Sequence, residues 1–533
     1  MKYNILKIVF LNLFFLTSLF ANFEQDIEKL KTNSLKTKQE VVKQLIQNYS
    51  EDERTNLLLT KLKDGDLYYK KDSGKFVILE KKDGRNLITK DFFTQKSLEA
   101  QNKREFKKIK TNNRLRSIIK KELAQMNLFS NNDEKRLISA KNILKNLDKD
   151  SQELISKALK NEKNSDVKEV LEEANIILKA KYSDGIEREK AVKELSNYLS
   201  NQTMITLKEI INNENSSKQL KDIAQSSLNS IQTIRSYYSI VEKAFFGLSM
   251  GSVLLLAAIG LAITFGVMKV INMAHGEMIM IGAYTTYTLQ QIMPNLIEYS
   301  ILIAIPAAFI VSGIVGIIIE RLVIRHLYGR PLETLLATFG ISLILQQLVR
   351  TIYSPLNQEV KTPSWMSGTL EINSALSLTY NRLYIIIFAI LVFISILLIL
   401  KKTSLGLKVR AVTQNRQMAQ AMGIKTSFID AMTFGIGSGI AGVAGVALSQ
   451  LTNVGPNLGQ AYIVDSFMVV VFGGVGNLWG TLIGAITLGE INKFIEPVAG
   501  AVLAKVIILV FIILFIQKRP RGLFPQKGRD AQD

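Results

Sequence analysis

The run Val270-Ile-Asn-Met-Ala-His-Gly-Glu-Met-Ile-Met-Ile-Gly-Ala-Tyr284 sets Asn272, His275 and Glu277 in or beside an apolar stretch. A carboxylate removed from water is costly unless something compensates it, so Glu277 has to face protein, a water-filled cavity, or a partner such as His275 or a backbone amide. Two roles fit this knot: a cap on a broken helix, or contact with a polar solute on a transport path. Zinc hydrolysis does not fit, because His-Glu-x-x-His puts two imidazoles on one helix face, whereas here the order is His-Gly-Glu and the other histidine of the chain is His326. With no cysteine, disulfides, thiolate metal sites and a Cys nucleophile are excluded. Gly247-Leu-Ser-Met-Gly251 matches the nucleophile-elbow pattern formally, but it opens a long apolar helix instead of a strand-to-helix turn. Small residues at 247, 249, 251 and 252 suit close helix packing; were Ser249 a nucleophile, His275 would be its base.

A second constellation is Arg410-Ala-Val-Thr-Gln-Asn-Arg-Gln-Met-Ala-Gln-Ala-Met-Gly423, within a polar stretch from Lys401 to Asp430. It reads as a short amphipathic helix with Ala and Met on one side and Gly423 as its C-terminal cap. Held between two apolar spans, such a helix can pass force from a soluble partner. Glycines crowd two spans, Gly435, Gly437, Gly439, Gly442 and Gly445 in one, Gly473, Gly474, Gly476, Gly480 and Gly484 in the other. The first set reads as packing; Gly473, Gly474 and Gly476 are expected to break a helix near mid-membrane beside Asn477. No Gly-x-x-x-x-Gly-Lys-Ser/Thr loop occurs, so an ATP motor of that type would be another chain.

These residues need elements to hold them, and the composition splits the chain in two. Residues 1–244 hold 46 Lys/Arg and 34 Asp/Glu, a net of +12, whereas 245–533 hold 20 and 12, a net of +8. The back part is therefore about a tenth charged and rich in apolar runs that belong in a bilayer. Its cations flank those runs without forming a dense stripe, which favours membrane orientation over nucleic acid. The fold class expected is all-α: a polytopic membrane protein of about nine (eight to ten) transmembrane helices within 245–517, following an exported, mostly helical domain. Residues 1–21 read as an export signal, with 22–240 outside the cytoplasm. That domain is expected to hold one small β-hairpin, 66–79, turning at Asp72-Ser73-Gly74, and then to be helical from about 102 to 240. Breaks are expected at 131–133, 148–150, 164–166, 183–185 and 212–217, and antiparallel helix pairs or a short solenoid are the natural packing.

Arg321, Arg325 and Arg330, then Lys401, Lys402, Lys408, Arg410 and Arg416, then the 518–533 tail with Lys518, Arg519, Arg521, Lys527 and Arg529 all fall on one side if the region around 473–477 makes two passes. The positive-inside rule then makes the C-terminus cytoplasmic. Lys505, inside the last apolar run, needs a partner, with Glu490 or Glu496 expected.

The stretches Gly260 to Glu277, Ala411 to Gly423 and Gly473 to Asn477 resemble the permease subunits of branched-chain amino acid type ABC importers. Gly329-Arg-Pro-Leu-Glu-Thr-Leu-Leu-Ala-Thr-Phe-Gly340, Gln346 to Tyr353, Pro363-Ser-Trp-Met-Ser-Gly368 and Phe515 to Phe524 are similar to the urea branch of that family. The resemblance covers about 245–529, and urea-type members often carry such an exported domain. It implies a heteromeric importer in the bacterial inner membrane: this permease, a second homologous permease, two cytoplasmic ATP-binding subunits and a periplasmic substrate-binding protein. No enzyme activity of its own and no cofactor are implied. The 401–430 loop would be the coupling helix against the ATPase, with Arg410, Asn415, Arg416, Ala419, Ala421 and Gly423 as its residues. Urea, a neutral molecule with N–H donors around one carbonyl, would ask for acceptors, and Asn272, Glu277, Gln346 and Asn477, with His275, are the candidates along the path.

Overall fold

The computed structural model describes residues 23–49, 52–83, 86–149, 151–268 and 270–525. The expected export signal and the tail residues Lys527 and Arg529 lie outside the described residues. The chain divides into two compact units, Met1–Thr233 and Ile234–Asp533.

In the first unit, α1 (Leu35–Tyr49) and α2 (Glu53–Asp64) precede β1 (Leu67–Lys70), β2 (Phe76–Asp83), β3 (Asn86–Asp91), β4 (Gln101–Asn102) and β5 (Phe106–Lys108). The expected hairpin is the β1–β2 pair, with Leu67 opposite Ile78, and Gly74 takes the positive φ its turn requires. It belongs to a five-stranded antiparallel sheet of order β4-β3-β2-β1-β5, so the single expected hairpin is part of a small sheet in a chain that is otherwise mostly helical. Strands as short as β4 and β5 carry too few residues for a period-two signal.

The helices then run α3 (Asn113–Asn127), α4 (Asp133–Leu144), α5 (Ser151–Asn161), α6 (Ser165–Tyr182), α7 (Gly185–Glu194) and α8 (Asn201–Asn212), beginning after 102 because β5 intervenes. Their starts are set by side chains that satisfy free backbone donors. Asn132 accepts from Glu134 N at 2.9 Å, Asn164 from Asp166 N at 3.0 Å and Ser200 from Thr203 N at 3.2 Å. In place of a solenoid, α6 is a hub: Val167, Leu171, Ala174 and Leu178 on one stripe are buried, and the helix packs against α4, α5, α7 and α8.

The helix α9 (Lys218–Met268) contributes Leu220 to Ile231 to the first unit's apolar core and Val253 to Ile263 to those of the second. There follow α10 (His275–Ile292), α11 (Ser300–Leu322), α12 (Pro331–Tyr353), the hairpin β6–β7 (Thr369–Asn373, Leu376–Thr379), and α13 (Tyr380–Lys402). Two short helices, α14 (Ser404–Gln414) and α15 (Arg416–Ala421), lead to α16 (Thr426–Ser449), α17 (Leu458–Gly473), α18 (Leu478–Ala499) and α19 (Ala501–Lys518). By length and composition α9, α11, α12, α13, α16 and α19 are able to cross a membrane, and α17 is a shorter apolar helix.

At the centre of this unit stands α16, whose glycines let three helices approach it. Gly437 faces Gly260 of α9, Gly442 faces Gly282 of α10 and Ala308 of α11, and Gly445 faces Ile279. A Cβ at Gly282 would collide with the Gly442 carbonyl, so a side chain there would have to push two backbones apart. The glycines of 473–476 do break the helix, α17 ending at Gly473 and α18 starting at Leu478. They close an antiparallel turn between α17 and α18, where Gly473 lies against Gly480 and φ is positive at Gly474 and Gly476. The turn also binds the chain after α19, Phe524 N donating to Gly473 O at 3.1 Å.

Candidate functional site

Glu277 lies in the first turn of α10, 1 % exposed. Its Oε1 accepts from Ser342 Oγ at 2.8 Å and Gln346 Nε2 at 2.7 Å, both on α12, while Oε2 has no hydrogen-bond partner among the described residues. The first turn of a helix suits a carboxylate, since free N–H groups and the helix dipole both favour negative charge there. Ser342 was not singled out from the sequence. The signal was available: Thr334, Thr338, Ser342 and Gln346 recur every fourth residue on the buried face of an otherwise apolar helix.

Hydrogen-bonding groups continue along this α10–α12 seam. On one side of Glu277, Met273 N donates to Thr338 Oγ1 at 3.1 Å. On the other, the Tyr284 and Tyr353 rings stand 4.8 Å apart, Thr288 Oγ1 and Tyr353 OH share a hydrogen bond of 2.7 Å, and Tyr287 OH donates to Gln358 at 3.2 Å.

Of the other path candidates, Asn272 and His275 hold α10 in place. Asn272 Oδ1 accepts from Ala274 N at 3.0 Å, and His275 Nε2 lies 2.9 Å from Ala257 O of α9, so the ring does not pair with Glu277. Asn477 is elsewhere: it caps α18 by accepting from Trp479 N at 3.1 Å and donates to Phe524 O at 3.2 Å. Ser249 sits inside α9 with no strand-to-helix turn, which removes the elbow reading. Lys505 does have a partner, and it is Asp465 of α17, 2.8 Å away. Glu496 is instead engaged by Lys493 at 2.5 Å, and Glu490 lies against Gly247, so neither expected partner is used.

The expected single coupling helix is two. At Asn415 the backbone is extended, and its side chain caps α15 by accepting from Met418 N at 2.9 Å, which ends α14 and restarts the chain in a new direction. Val409 and Val412 of α14, Ala419 of α15 and Ile429 of α16 form one apolar cluster. Ala and Met therefore part company: Ala419 is buried, while Met418 and Met422 are 61 % and 77 % exposed. Arg410, Asn415, Ala421 and Gly423 are exposed, and Gly423 closes the loop at a φ of 83°. Arg416 points inward to Asp430.

A bundle of long apolar helices built around a glycine-faced centre, carrying a buried polar seam, is a polytopic membrane permease. The chain belongs to the family described as branched-chain amino acid transport system, permease component, which matches residues 243–516. It is 30 % identical over 296 residues to the high-affinity branched-chain amino acid transport system permease protein BraD of Pseudomonas aeruginosa, covering 54 % of this chain and 96 % of that one. To LivH of Escherichia coli K12, described in the same words, it is 29 % identical over 294 residues, 53 % of this chain and 94 % of that one. The ribose import permease protein RbsC of the same organism matches at 26 % over 227 residues, 41 % of this chain and 68 % of that one. No solved structure matches.

Proposed function

We propose that this chain is the membrane-spanning permease subunit of an ATP-driven importer in the bacterial inner membrane, and that its substrate is urea. The transport reading rests on the family match over 243–516, nearly the whole second unit, with the α10–α12 seam inside it. Partners follow: a second permease, two ATP-binding subunits at the α14–α15 loop, and a binding protein that delivers substrate. The three cation clusters, through the positive-inside rule, support a cytoplasmic loop and C-terminus and a periplasmic 22–240.

The substrate reading rests on Glu277. An acceptor held by neutral donors, with one oxygen free, suits the N–H groups of a neutral amide, and Gln346 and Ser342 offer donors and acceptors beside it. The urea-like stretches at 329–340, 346–353, 363–368 and 515–524 agree with this. The second reading is a branched-chain amino acid, favoured by what BraD and LivH are described as carrying. A carboxylate-bearing substrate needs a cation, and Arg350, one turn beyond Gln346 and bound to Asn457 Oδ1 at 2.8 Å, is the one on this face of α12.

Uptake of labelled urea and labelled leucine, at micromolar concentration in cells carrying the complete system, separates the readings. Saturable urea uptake, with KM raised about tenfold in Glu277→Gln, is the expected result, because the amide replaces one acceptor oxygen by a donor and one hydrogen bond to the substrate is lost. Leucine uptake that urea does not compete would move the substrate to the second reading. Transport of neither solute by an assembled complex would sink both.

A further inference from the structure

A charged contact that holds the α14–α15 loop to the membrane core draws its parts from four elements. Arg416 opens α15; its two Nη atoms reach the two carboxylate oxygens of Asp430, in the second turn of α16, the Nη1 bond measuring 3.2 Å. Asp430 is fully buried, and the Arg416 guanidinium lies 4.5 Å from the ring centre of Tyr328, in the connection between α11 and α12. Glu320, near the end of α11, is also fully buried, and its surroundings hold Asp430, Arg416, Arg321 and Arg325. Its carboxylate makes no hydrogen bond among the described residues, and the nearest cation is Arg321 Nε at 3.7 Å.

A bidentate guanidinium–carboxylate pair fixes direction as well as distance, which a lysine or an apolar contact does not. The rest of the α15 attachment is weaker: Ala419 in the small apolar cluster and Gln420 Nε2 donating to Thr426 Oγ1 at 2.8 Å. Meanwhile Met418 of α15 and Met422, which directly follows that helix, stand exposed. So α15 has an outer side free to be pushed and an inner side clamped to α16. That helix in turn lies against α10 through Gly442–Gly282 and Gly445–Ile279, five and two residues from Glu277.

We propose that Arg416 and Asp430, with Tyr328 stacked on the guanidinium, form the joint that passes displacement of α15 into α16, and through it into the α10–α12 seam. This rests on the importer reading. Both residues are positioning residues: they touch neither nucleotide nor substrate, and their loss should uncouple hydrolysis from transport without abolishing either partner's binding.

The test uses the complete importer reconstituted in liposomes, measuring ATP hydrolysed and urea or leucine taken up in the same sample. Arg416→Met and Asp430→Asn are each expected to assemble and hydrolyse ATP while solute moved per ATP falls about tenfold. The exchange Arg416→Asp with Asp430→Arg is expected to recover most of the loss, which a residue needed only for general stability would not do. Tyr328→Leu, which leaves both charges in place, is expected to fall between wild type and Arg416→Met. Single variants that transport per ATP as wild type does, or an exchange no better than the singles in an assembled complex, would overturn the joint. ATP-independent uptake by the wild type would instead overturn the importer reading, and the joint with it.

Discussion

Glu277 and Asp465 are both carboxylates buried in the membrane unit, 1 % and 6 % exposed, and they are held in opposite ways. Asp465 meets the Lys505 ammonium, which also lies over the Tyr462 ring. Among the described residues, Glu277 meets only a hydroxyl and an amide. The same division recurs elsewhere. Asp430 with Arg416, and Glu162 with Arg136 at 2.8 Å, are charge-paired; Glu173 of α6 is held by Thr203 Oγ1 at 2.6 Å and by Ser200 Oγ, both neutral. A paired carboxylate has its charge cancelled and its directions occupied, so it fastens two elements together. One held by neutral donors keeps spare hydrogen-bonding capacity, which serves a site better than a joint.

The comparison is broken most forcefully at Lys505. If the pair is a fastener, Lys505→Met strands Asp465 in an apolar setting and should cost about 2 kcal/mol, below the roughly 3–5 kcal/mol of a fully buried pair because Lys505 is 43 % exposed. Lower yield and a lower melting temperature in detergent would report it, and a second change, Asp465→Leu, should restore much of both. A single variant as stable as wild type would show that the pair fastens nothing.

The partner of Lys505 is set by packing and not by sequence distance. Glu490 and Glu496 are near it in sequence, whereas Asp465 lies 40 positions away, and only the packing of α17 beside α19 brings the two together. Features set within one helix were legible. The helix breaks at 131–133 and 164–166, and the apolar runs that became α9 to α13 and α16 to α19, all follow from local pattern. The seam was half legible: Glu277 and Gln346 stood out by polarity, but that they bond to each other is a fact of tertiary structure. At Asn415 one capping residue in a helix-forming run outweighed the run's propensity and divided the coupling element. The hairpin β6–β7 and strands β4 and β5 were lost to shortness.

Glu173 sharpens the comparison in water, where its titration is measurable. Burial raises its pKa above the ordinary carboxylate value although Ser200 and Thr203 donate to it, while the Arg136 hydrogen bonds lower that of Glu162. The signs are opposite. A raised acid holds its proton more tightly folded than unfolded, so its contribution is greatest below the unfolded pKa and is lost as pH rises to the folded one; Glu162 contributes above its unfolded pKa and loses that as pH falls. In hydrogen exchange on the full chain, Glu173→Gln should remove the loss of protection of α6 and α8 amides as pH climbs above about 4.5. Glu162→Gln should remove the loss on the acid side. A variant at Glu173 whose profile follows wild type would show that neutral donors hold a carboxylate as firmly as a guanidinium does.

The smallest effect is expected at Asn477, a polar residue in the membrane unit that belongs to neither class of carboxylate site. Its oxygen caps α18 and its amide ties the α17–α18 turn to Phe524, so Asn477→Ala removes one cap and one tie. That should cost about 1 kcal/mol of stability, the ordinary value of a helix N-cap, and leave the KM of uptake unchanged. The contrast with Glu277 is then internal: two polar residues in the same unit, one altering substrate affinity at little cost in stability, the other lowering stability at no cost in affinity. A raised KM in Asn477→Ala would place the α17–α18 turn on the substrate's route and extend the path beyond the α10–α12 seam.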